Sequence, residues 1–80
     1  MTRTILRLRA VLTRRGKGRS SHYADIKAGL FVTPVSIGPR ARGTPDNEVD
    51  ALVNASIAGK TEDEIRALVV KLEADRKALG

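Results

Sequence analysis

Glycine stops this chain before any of its early helical patterns can grow long. Gly16 and Gly18 flank a lysine in the run RGKG, Gly29 follows a helix-like run of about two turns, and Gly59 closes a third pattern. Glycine enters positive φ without steric cost, so each of these positions predicts an end or a turn. Apolar residues recur at helical spacing between the stops: Ile5, Leu8, Val11 and Leu12, then Val49, Leu52, Val53 and Ile57. A chain of 80 residues makes one small domain, and at that size only roughly 60% of the unfolded surface is buried. Short elements around a compact core are therefore expected, with no room for a deep substrate cleft.

The first helix is predicted to carry Ile5, Leu8, Val11 and Leu12 inward, with Arg7, Arg9, Arg14 and Arg15 on its other faces, and to end before Gly16. Both glycines of RGKG free the backbone for positive φ. Ser20 or Ser21 then caps a second helix, which runs through HYADIKA to Gly29. The chemistry changes at FVTPVSIGPRARGTP, where β-branched residues and prolines predict a strand at Val35 to Ile37, a turn at Gly38-Pro39-Arg40 and a strand at Arg40 to Gly43. Thr44 reads as a cap before Pro45 in the first helical position. Thr61 and Glu64 have the spacing of a capping box ahead of the stripe Ile65, Leu68, Val69 and Leu72. Past Leu72 the apolar pattern thins to Ala74, Ala78 and Leu79, so this end is expected to fray or to meet a partner.

Helix, glycine-bearing turn, short helix is the helix-turn-helix order, and the hairpin after it has the place of a wing. The fold class expected is mainly α with a small β-hairpin: a winged helix-turn-helix over residues 1–59 and an extra C-terminal helix over residues 60–80, used for core packing or for assembly.

Charge points to the partner. Residues 1–43 hold ten bases and one acid, Asp25, for a net +9, whereas residues 44–80 are net −3; the whole chain is +6. Such a block favours a polyanion. The absence of cysteine excludes disulfides and thiolate metal or redox sites and fits a reducing cytosol, and a single histidine argues against a metal centre, so no cofactor is expected. No stretch approaches the roughly 18 apolar residues of a membrane span. The Arg-rich, acid-free start also reads as an organellar transit peptide, but its removal would leave about 60 residues, near the lower limit for a domain. Asp46, Glu48 and Asp50 sit where acids complement a helix dipole. No nucleophile, base and oxyanion donor converge, so the chain does not read as an enzyme.

If Tyr23 and Ile26 turn inward, Arg19, Ser20, Ser21, Ala24 and Lys27 share the exposed side of the second helix. Arginine and lysine supply donors to guanine or phosphate, and serine hydroxyls near a helix N-terminus hold phosphate oxygens. Tyr23 is expected to pack beneath the turn, with a hydroxyl able to reach phosphate, and His22 to be polar surface. Arg40 and Arg42 alternate with the strand period, so both should leave one face of the hairpin, toward a narrow minor groove or simply toward solvent. Arg14, Arg15 and Lys17 are further candidates for phosphate contacts. Leu72, Glu73, Asp75 and Leu79 are candidates for head-to-tail self-association, since a +9 and a −3 segment attract between copies.

Several short motifs fall in register over about half the chain: ILRLRAV, RSSHY, IKAGLF, PVSIGPRARG and EVDALV. In these the chain resembles the AlpA-type phage regulatory proteins, part of the MerR-like winged helix-turn-helix group that includes many excisionases. The chain departs from that pattern at His22, Asp25, Ala24 and Thr44. The resemblance implies that the second helix enters the major groove and the hairpin a neighbouring groove. It also implies a bacterial, cytoplasmic, nucleoid-associated protein of a mobile element or prophage, binding and bending double-stranded DNA as an excisionase or recombination directionality factor, with an integrase as partner. An AlpA-type transcriptional regulator working with RNA polymerase is the alternative. A basic protein-interaction or RNA-associated adaptor is the alternative from another class.

Overall fold

The computed structural model describes residues 4–79, with side chains as far as Arg76. Strand β1 (Ile5–Leu6) leads into α1 (Leu8–Arg15) and α2 (Arg19–Lys27); the hairpin β2 (Val35–Gly38) and β3 (Ala41–Pro45) follows, then α3 (Asp46–Ile57) and α4 (Glu62–Leu79). The chain is thus mainly helical, with one small antiparallel sheet in the order β1-β3-β2.

Strand β1 departs from the expectation. Ile5 does not open the first helix but pairs with Pro45, as Leu6 does with Thr44. Its spacing to Leu8 matches a helical stripe, yet two residues suffice to cover the free edge of β3. Gly43 makes the approach possible, because a Cβ there would stand 2.3 Å from the Ile5 Cγ2 and 2.9 Å from the Leu6 carbonyl oxygen. Thr44 is consequently buried in β3 rather than capping α3, and Pro45 occupies the N-cap position with Asp46 and Glu48 in the first turn.

The glycine stops lie where the sequence puts them. Gly16, Gly29 and Gly59 all have positive φ, at 68°, 78° and 77°. Gly18 does not: it is the N-cap of α2, with φ −78°, and neither Ser20 nor Ser21 caps that helix. Both serines stand inside its first turns, exposed to solvent. The capping box of α4 forms as read, with Glu64 N–H donating to Thr61 Oγ1 at 3.2 Å and Thr61 N–H to Glu64 Oε1 at 2.9 Å. Those bonds hold the Glu64 carboxyl below its usual range.

Val11, Phe31, Val32, Val49, Leu52 and Val69 form the buried core, with Leu6, Ile26, Val53, Ile65, Leu68 and Leu72 packed around it. Strand β1, the four helices and the Phe31-Val32 segment therefore share one interior. Ile57, expected at the end of the α3 stripe, is instead exposed; Ala55 takes the buried position in the last turn. Helix α4 is pinned beyond its apolar stripe. Glu73 Oε2 accepts from the backbone N–H and the hydroxyl of Thr33, each at 2.9 Å. Arg76 grips the buried Glu48 through Nε at 2.9 and 3.1 Å and through Nη2, which also donates to the Thr33 carbonyl at 2.8 Å. Two of the four assembly candidates, Leu72 and Glu73, are thus engaged within the domain. Asp75 is exposed, and the side chain of Leu79 lies outside the described residues.

Candidate nucleic-acid interface

Helix α2 buries one side chain completely, and it is His22. With His22 and the half-buried Asp25 and Ile26 facing inward, helical geometry turns Ser20, Ala24 and Lys27 to the opposite side. Arg19, Ser20, Ser21, Tyr23, Ala24 and Lys27 are all exposed. Ser20 and Ala24 make the outer face small along its first turns, Lys27 continues the same stripe at its C-terminal end, and Tyr23 and Arg19 lie to one side. Ser20 and Ala24 leave room there for close approach to a groove floor, while Lys27 and Tyr23 project from the helix.

Two positions are exchanged relative to the sequence reading. Tyr23, expected to pack inward, is 51% exposed, and His22, expected at the surface, is 3% exposed. The reason is Arg15. Its Nη1 donates to His22 Nδ1 at 2.8 Å and its Nη2 to Asp25 Oδ2 at 2.5 Å, while its guanidinium carbon lies 4.1 Å from the centre of the Phe31 ring. The His22 ring meets Phe31 edge-on at 5.1 Å. A histidine whose polar atom is satisfied in this way can sit where an apolar side chain otherwise would. Since Nδ1 accepts, the neutral ring carries its proton on Nε2.

Burial, the Arg15 charge and Lys17 hold the His22 pKa below the ordinary imidazole value of 6.5, against the opposing pull of Asp25. Burial alone would raise the Asp25 carboxyl, but hydrogen bonds from Lys17 and Arg15 bring it below its usual range of about 3.8. Both shifts act on stability in the same direction. A folded-state pKa below the unfolded one contributes stability that is complete above the unfolded value and is lost as pH falls. Melting temperature is therefore expected to decline first as pH drops below 6.5 and again below 3.8. In His22→Gln, whose amide oxygen still accepts from Arg15, calorimetry should show the decline between pH 7 and 5 removed; an unchanged decline there would mean that His22 does not cause it.

The three extra phosphate candidates all have carboxylate partners. Arg14 pairs with Asp50 at 2.9 Å and Lys17 with Asp25 at 2.6 Å, but each of these bases remains 45% exposed. The Arg14–Asp50 pair, exposed on both sides, is of the surface kind that contributes about 0–1 kcal/mol, so a phosphate can displace it. The Asp25 partner of Lys17, by contrast, is only 17% exposed. Arg15 is different. Its side chain is 9% exposed and its guanidinium is engaged by His22 and Asp25, which leaves it little surface for the phosphate contact expected of it.

Across the hairpin, Arg42 pairs in register with Ser36, and Arg40 lies in the turn, with β3 beginning at Ala41. The strand period that would align both arginines does not reach Arg40, and the pairing is irregular between Ser36 and Gly38. Arg42 and Tyr23 nevertheless line one cleft of about 120 Å³ between α2 and the sheet, floored by Leu8, Val11 and Pro34. The bases Arg7, Arg9, Arg19, Lys27, Arg40 and Arg42 are exposed and pair with no carboxylate among the described residues. Arg7 and Arg9 were not among the expected contacts; their place off the apolar stripe was the available signal.

No family model, curated protein or solved structure matches this chain. Among the described residues no group of three or more His, Cys, Asp and Glu side chains could hold a metal ion, and no helix is long and apolar enough to cross a membrane.

Proposed function

We propose that the protein is a winged helix-turn-helix that binds double-stranded DNA, with α2 as the recognition helix and the β2–β3 hairpin as the wing. The observation that carries this reading is the outer face of α2: small at Ser20 and Ala24, bearing Lys27 and Arg19, which pair with no carboxylate among the described residues, and joined to Arg42 of the hairpin through the cleft at Tyr23. In this reading phosphate contacts give affinity and register, and the exposed Lys27 and Arg19 supply the donors to base edges. The motifs shared with AlpA-type regulators and excisionases support the same reading. In that reading the protein acts at the DNA of a mobile element or prophage, either directing an integrase by bending attachment sites or controlling a promoter. The engagement of Leu72 and Glu73 inside the domain favours the second role, since it removes much of the surface from which an array of copies would grow.

If about six bases neutralise phosphates, the logarithm of the duplex-binding constant should fall with the logarithm of salt at a slope near −5. Fluorescence anisotropy with a labelled random-sequence duplex, titrated across salt with single-stranded RNA as competitor, measures this. A slope near zero overturns the DNA reading, and preference for the RNA moves it to the RNA-associated class. A footprint across the element's own attachment sites and promoters then separates the two roles.

A further inference from the structure

We infer that Arg15 is a positioning residue for the recognition helix, setting the orientation in which α2 meets DNA without touching DNA itself. This deepens the DNA-binding reading and rests on it only for its functional arm.

Helix α2 has nine residues, no side-chain cap and one fully buried side chain. Isolated helices shorter than about 12–15 residues are marginal in water, so α2 depends on what it is docked to. Ile26 supplies an apolar contact with the core. The buried His22 ring adds an edge-on contact with Phe31, and the polar docking from α1 passes through one guanidinium. Its fork reaches His22 and Asp25, three residues apart and hence on one side of α2, and its flat face covers Phe31 beyond the Gly29 stop. A single group thus ties α1, both turns of α2 and the segment after α2 into one geometry. Lys17 also reaches Asp25, but from the exposed turn and at that one acceptor only.

A lysine at position 15 would keep the charge and lose the fork and the stacked plane, because an ammonium is a point charge on a flexible stem. Arg15→Lys therefore separates positioning from electrostatics. Amide hydrogen exchange of the full chain, followed by NMR, should show the amides of α2 exchanging about tenfold faster or more, with those of α3 near Val49 and Leu52 unchanged. Duplexes selected from a randomised pool should lose about tenfold of their advantage over the unselected pool, while the salt slope remains that of the wild type.

The inference is overturned if α2 keeps wild-type protection. It is equally overturned if the salt slope falls by about one with discrimination intact, which is the signature of a phosphate contact. If the wild type binds no duplex, the DNA reading fails and the exchange measurement alone decides the positioning role. Should Arg15→Lys unfold the whole chain, Asp25→Asn removes the charge from one arm of the clamp. Faster exchange confined to α2 then supports the inference, and unaltered exchange there overturns it.

Discussion

Arg76→Ala is expected to destabilise the protein by about 3–5 kcal/mol, the range seen when one partner of a buried ion pair is removed. The Glu48 side chain is 5% exposed and receives its charged hydrogen bonds from Arg76, which itself is only 19% exposed. Without the guanidinium, a carboxylate remains almost wholly buried beside Val49 and loses its charged partner. The Thr33 carbonyl loses its donor as well. Total stabilities of about 0.05–0.15 kcal/mol per residue are usual, so such a loss removes from about a quarter of the stability of a chain this size to all of it. Replacing both partners with apolar side chains, as Glu48→Leu with Arg76→Met, should recover most of the loss, because the cost lies in the orphaned charge. Urea unfolding of the two variants checks this. A loss below about 1 kcal/mol in Arg76→Ala would mean that Glu48 is solvated and the pair is of the surface kind. The same contact bears on the C-terminal residues. Deleting residues 74–80 removes Arg76, so impaired DNA binding by that truncation would report unfolding before it reported any loss of assembly.

The features that sequence exposes here are those decided within a few residues. Gly16, Gly29 and Gly59 end helices because positive φ is a local matter, and Thr61 with Glu64 caps α4 because both bonds close within one turn. The hairpin around Pro39 and Arg40 is likewise local. What was hidden depends on partners far along the chain. The sequence around Glu48 points to an acid complementing a helix dipole, which it is placed to do, yet its burial depends on Arg76, 28 residues later. Ile5 fits a helical stripe and joins a sheet because the edge of β3 is open to it, forty residues later in sequence. The candidate interface divides in the same way. Arg19, Ser20, Ser21, Ala24 and Lys27 are exposed as the periodicity of α2 suggests. Tyr23 and His22 exchange places because Arg15 and Asp25 turn a histidine into a satisfied core residue. The signal for this was present: two polar residues, His22 and Asp25, at one helical spacing in a helix with few apolar side chains, following an Arg-Arg pair.

Under the DNA reading, helix and hairpin should divide the work in a way that substitution separates. Lys27 and Arg19 lie at the edges of a face whose centre, Ser20 and Ala24, allows close approach to a groove floor. If their donors read base edges, each alanine substitution is expected to cost about 1–3 kcal/mol on the preferred sequence, about 5- to 150-fold in affinity, and much less on other sequences. Arg40 and Arg42 extend from the hairpin turn and from the strand beside it, where the backbone geometry offers no rigid helix to index one base against the next. Their contribution is electrostatic, directed at phosphates or at the concentrated potential of a narrow minor groove. The double variant Arg40→Ala/Arg42→Ala should therefore bind every duplex more weakly by a similar factor and reduce the magnitude of the salt slope by about two. Binding isotherms on a selected and a scrambled duplex at several salt concentrations distinguish these outcomes. Wild-type affinity in the double variant would remove the hairpin from the interface and leave α2 to account for binding alone. A uniform loss for Lys27→Ala on both duplexes would reassign that residue from base reading to phosphate.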